Sequence, residues 1–153
     1  MRRLFTVLLP AILLATTLSA TAATGRVVKV LPHFLDLKGR HALSPSLYER
    51  DAYQAQLRRH PEQRSGLRFD VLTRVRTPGA ANLMLKVEIR GIAQGKLPSE
   101  KTLESAVKGG SGSRWTAITL SRDDFKVLGE VTAWRASLWE GDQLIGEQKS
   151  FLW

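Results

Sequence analysis

Between residues 67 and 76 the chain alternates, with Leu72 the exception on the polar side. Leu67, Phe69, Val71, Thr73 and Val75 fall on one side, and Arg68, Asp70, Arg74 and Arg76 on the other. A period of two over this length predicts a strand with one face buried and one in water. Leu83, Leu85, Val87 and Ile89 repeat the pattern against Met84, Lys86, Glu88 and Arg90, the cleanest alternation in the chain. Trp115 to Leu120, Glu130 to Trp139 and Leu144 to Trp153 read as further strands, and Lys101 to Val107 as a short, weaker one. Val27 to Lys38 is β-branched and apolar, but Pro32 cannot donate to a ladder. This segment is therefore expected to be an edge strand that bends or changes partner at the proline. Thr77-Pro78-Gly79 and Gly141-Asp142 mark turns, and Gly109 to Ser113 a flexible loop.

One full helix interrupts the strands. Ser44 can cap it with Pro45 at its first position, or Ser46 and Glu49 can form a capping box one step later. Acids at Glu49 and Asp51 and bases at Arg58, Arg59 and His60 match the helix dipole, and Pro61 ends the helix. Tyr48, Ala52 and Ala55 share a predicted face, with Tyr53 and Leu57 beside it. Ser121-Arg122-Asp123-Asp124 predicts one more helical turn ending near Gly129.

Seven strands with a helix between the first and second predict an all-β fold, a seven-stranded antiparallel sandwich. The order resembles an immunoglobulin or fibronectin type III sandwich over residues 26–153. The immunoglobulin cysteine pair and corner tyrosine are absent. The stretches Leu31-Pro32-His33-Phe34-Leu35-Asp36-Leu37 and Trp134-Arg135-Ala136-Ser137-Leu138-Trp139 are similar to parts of a family of uncharacterised bacterial exported proteins. That resemblance implies a fold and a location, and no activity.

The N-terminus changes the picture. Met1-Arg2-Arg3, the apolar run Leu4 to Ala15, and the small residues Thr16 to Ala23 are the three parts of a secretory signal peptide. Ala20-Thr21-Ala22 places cleavage after Ala22 or Ala23. The run is short for the ~20 residues of a membrane span, and Pro10 interrupts it. The expectation is a signal peptide over 1–23 and one exported domain over 24–153, in the periplasm or outside the cell, with no membrane span after cleavage. Removing Arg2 and Arg3 from the 23 basic residues leaves 21 against 14 acids, a net charge of +7.

Candidate chemistry is sparse. There is no cysteine, so no disulfide and no thiolate metal site. The histidines are His33, His41 and His60. His33 and Asp36 lack a nucleophile elbow, and a His33, Asp36, His41 metal set would need a bend, because i and i+3 on a strand face opposite ways. Gly109 to Gly112 lacks the Gly-Lys-Ser/Thr ending of a phosphate loop. No cofactor and no catalytic residue are expected.

The basic residues carry more information. Arg68, Arg74 and Arg76 share a strand face, and Lys86 and Arg90 are expected to neighbour them on the next strand, giving a surface for an anionic glycan or lipid. Export and the lack of a recognition motif disfavour nucleic acid. Of the tryptophans, Trp134 is expected in the core and Trp139 on the opposite face, where it can touch a ligand or partner. The sequence thus predicts a non-catalytic exported interaction or structural module of the bacterial envelope, its partner an envelope protein or an anionic polymer.

Overall fold

The computed structural model describes residues 23–76 and 82–153; the signal peptide reading and the Thr77-Pro78-Gly79 turn lie outside them. The chain runs β1 (Thr24–Asp36), α1 (Leu47–Arg59), a 3-10 turn (Pro61–Gln63), β2 (Arg64–Arg76), β3 (Leu83–Ile92), β4 (Ser99–Val107), β5 (Gly112–Leu120), α2 (Arg122–Leu128), β6 (Glu130–Glu140) and β7 (Gln143–Lys149). The strands form two antiparallel sheets, β1-β2-β5 and β4-β3-β6-β7. The protein is an all-β sandwich with a helix between its first two strands. Among the described residues no helix is long and apolar enough to cross a membrane.

The alternation explains the packing. Leu67, Phe69, Val71 and Val75 of β2 meet Leu83, Leu85, Val87 and Ile89 of β3 inside the sandwich, with Ala136 and Leu138 of β6. Phe69 and Trp134 join the two sheets edge to face, with ring centres 6.3 Å apart. Burying each large apolar side chain contributes about 1.5–3 kcal/mol, so these two central strands hold much of the stability.

β1 departs from the prediction. It pairs with β2 straight through Pro32, which sits opposite Phe69. Being an edge strand, it needs no ladder donor there. The register shifts instead on either side of the proline, between Val27 and Lys29, where a bulge leaves Val28 unpaired and exposed, and between Leu35 and Asp36. An extra residue shifts the parity of the strand. Before the bulge, β1 runs close to β7. A Cβ on Gly146 would come within 2.7 Å of Arg26 Cα, so this approach requires a glycine.

α1 also turns a different face. Ser46 is its cap, accepting from the Glu49 amide, but the buried residues are Gln54 and Leu57 while Tyr48 is exposed. Gln54 Oε1 accepts from the Phe34 amide at 2.8 Å, and its Nε2 donates to the carbonyls of Phe34 and His41 at 2.9 and 2.8 Å. A glutamine here is worth more than an alanine because it completes the open hydrogen bonds of an edge strand.

The last strand ends early. Beyond Lys149 the chain turns, with Ser150 bonded to both the amide and carbonyl of Trp134. Phe151 and Leu152 are exposed. Residues 112 and 113, read as loop, begin β5.

Candidate anion-binding surface

The five basic residues singled out by sequence do not form one face. β2 pairs with β1 and β5, whereas β3 pairs with β4 and β6, so the two strands sit in different sheets. Arg68, Arg74 and Arg76 lie on the outside of one sheet and Lys86 and Arg90 on the outside of the other. Consecutive strands here cross between layers instead of forming a hairpin, which alternation cannot reveal.

On the four-stranded sheet three cations are neutralised, while Lys149, opposite Arg135, has no carboxylate within ion-pair distance among the described residues. Lys86 Nζ lies 3.0 Å from Glu104, and Arg90 Nε 3.0 Å from Glu100. Arg135 donates twice to Glu88, both at 2.7 Å. The Arg90 guanidinium also stacks on Trp153, 3.9 Å from the ring centre, with Arg135 at 5.1 Å. Trp139 is half-buried on this face. Lys86 covers its ring, and its indole N–H donates to Ser137 at 2.8 Å.

The three-stranded sheet is divided along its length. At one end α1 and the loop before it cover the sheet, beside Asp36 of β1 and Asp70 of β2. Asp36 gathers five donors: the amides of Lys38 and Arg40, the Arg40 guanidinium through two nitrogens, and the Tyr53 hydroxyl, all at 2.7–2.9 Å. Burial alone would raise the Asp36 carboxyl. The donors outweigh it, above all the Arg40 amide and the Tyr53 hydroxyl, and hold its pKa at about 2. Arg68 pairs with Asp70 at 2.8 Å, and His33 Nε2 lies 3.6 Å from the same carboxylate. The His33 and His41 rings are 5.4 Å apart. Burial lowers the pKa of both, and Arg50 and Arg68 reinforce this against the pull of Asp70. Among the described residues no three His, Asp or Glu side chains converge as metal ligands.

The other end of this sheet is bare. Arg26 pairs across the strands with Arg74, Thr24 with Arg76, and Lys29 with Leu72. Cross-strand partners share a face, so the β1 bulge sets Arg26 and Lys29 on the same side despite their odd spacing. On β5, Ser113 stands beside Arg74 and Trp115 beside Leu72. Arg74 donates to Ser113 at 3.0 Å. No carboxylate among the described residues lies within ion-pair distance of Arg26, Lys29, Arg74 or Arg76. Arg26, Arg74 and Arg76 line a hollow of about 310 Å³ with Thr24, Gly25 and Val75. Trp115, 54% exposed, walls a second of about 540 Å³ with Lys108 and Arg114. Neither lining contains an acid.

Arg74 and Arg76 are two residues apart on a strand, roughly 7 Å. That is inside the ~8 Å screening length of physiological salt, so the cations act together on an anion. Sequence reasoning found Arg74 and Arg76 but missed Arg26, Lys29, Lys108, Arg114 and Trp115. A signal was present. The stretches 1–35, 71–87 and 105–122 contain no Asp or Glu, and antiparallel pairing brings parts of all three to one end of the sandwich.

No family model, curated protein or solved structure matches the chain.

Proposed function

We propose that this protein is a non-catalytic, exported binding module of the bacterial envelope that holds an anionic glycan at the bare end of its three-stranded sheet. The observation that carries the reading is the set Arg26, Lys29, Arg74 and Arg76, clustered and unpaired with carboxylates, whereas the other sheet face pairs Lys86, Arg90 and Arg135 with glutamates and leaves only Lys149 beside them without one. Unpaired like charges raise the energy of the folded chain, and an anionic partner relieves that cost. Trp115 supplies an exposed apolar ring at the border of the patch, suited to the apolar face of a sugar. Two hollows favour a polymer segment over a flat lipid surface. The strand order supports the immunoglobulin or fibronectin-like resemblance, and the leader supports export.

The test is titration of the purified domain with dextran sulfate and, separately, with vesicles containing anionic phospholipid, at several salt concentrations. The expected result is binding to the polysaccharide that weakens steeply as salt rises, because condensed counterions are released on binding. Binding to vesicles alone moves the ligand to lipid. Failure to bind either at low salt overturns the reading.

A further inference from the structure

We infer that the exported chain is cut between Ala22 and Ala23, and that Glu140 receives the new N-terminus. This rests on the leader reading of the proposed function, which leaves two positions open; the folded domain distinguishes them. Ala23 is 3% exposed and belongs to the hydrophobic core, with Leu83 and Leu138 in the same cluster. Its backbone nitrogen donates to Glu140 Oε2 at 2.7 Å. Glu140 has no basic side chain within ion-pair distance among the described residues.

Cleavage after Ala23 would remove a buried side chain and leave the Glu140 carboxylate without its donor. Cleavage after Ala22 keeps both. In that step a signal peptidase adds water across the Ala22–Ala23 peptide bond. The hydroxyl goes to the Ala22 carbonyl carbon and a hydrogen to the Ala23 nitrogen, which at neutral pH takes up a further proton from solvent. The amide donor thereby becomes an ammonium facing a carboxylate, and a neutral–charged hydrogen bond becomes a charge-assisted ion pair.

The experiment expresses the full chain with its leader in an exporting bacterial host and reads the N-terminus of the recovered protein by intact mass and sequencing. The expected first residue is Ala23. Thr24 as first residue overturns this junction and leaves the export reading standing, whereas an uncut Met1 removes both. The receptor role is read from the rate at which an amine-selective acylating reagent labels the α-amine near neutral pH. The native protein should label several-fold more slowly than Glu140→Gln. Equal rates in folded proteins overturn the role of Glu140. Glu140→Asp, which keeps the charge but withdraws it by one methylene, should label at an intermediate rate, and it decides the point if Glu140→Gln does not fold.

Discussion

The two outer faces of this sandwich carry similar basic side chains and treat them differently. On the four-stranded sheet, Lys86, Arg90 and Arg135 each meet a glutamate on a neighbouring strand, and Trp153 folds back over two of them. At the bare end of the three-stranded sheet, Arg26, Lys29, Arg74 and Arg76 meet no carboxylate. In the first arrangement the fold satisfies those three charges and leaves Lys149, beside Arg135, without a carboxylate. The second is incomplete by the same standard. Counting basic residues does not separate the two, because what differs is whether the adjoining strands supply acids. β4 brings Glu100 and Glu104 to one face, while the start of β1 and the start of β5 bring none to the bare end of the other.

The comparison has meaning only if both faces rest on one core. Val87→Asp should abolish folding, since Val87 is fully buried on a central strand and an unpaired carboxylate there costs several kcal/mol against a typical total of about 5–15. Thermal unfolding by circular dichroism checks it, and an unchanged transition would contradict the register.

Asp36→Asn should destabilise by about 2–4 kcal/mol at neutral pH, because it strips the charge from a buried acceptor of five donors. The folded carboxyl, at about 2, lies below its unfolded value of about 3.9. Its stabilising contribution is therefore complete above roughly pH 4 and disappears as pH falls through about 2. Denaturant titrations across that window should show the native and Asn proteins converging. A constant gap would mean that Asp36 acts without its charge. This variant sharpens the contrast within the three-stranded sheet, whose helix-covered end is held by an acid the bare end lacks.

Deleting Phe151 to Trp153 should cost about 1 kcal/mol, the scale of two partly exposed cation–π contacts. Denaturant titration reads it. A fully stable truncation would show that the tail adds nothing to the paired face.

How much of this was legible varied with the kind of signal. β2 and β3 could be read residue by residue, since alternation determines which side chains are buried. The β1 bulge could not. One unpaired residue, Val28, reverses the parity and moves Lys29 onto the face of Arg26. The helix misled for a related reason. Apolar Tyr48 and Ala52 looked like the contact face, but an edge strand needed hydrogen bonds, and Gln54 supplied them. Trp153, expected to continue a strand, is drawn instead over the guanidinium of Arg90. The joint face of Arg68, Arg74, Arg76, Lys86 and Arg90 failed because neighbours in sequence were placed in different sheets. Arg68 is paired besides, with Asp70.

The central claim is that position, not total charge, decides binding. Arg74→Ser/Arg76→Ser and Lys86→Ser/Arg90→Ser each remove two positive charges, from the bare face and the paired face respectively. Titrating both with dextran sulfate at one moderate salt concentration tests the claim most directly. The account predicts a loss of tenfold or more for the first pair and less than twofold for the second. Equal losses would contradict it, and would show that the protein binds through its overall charge alone.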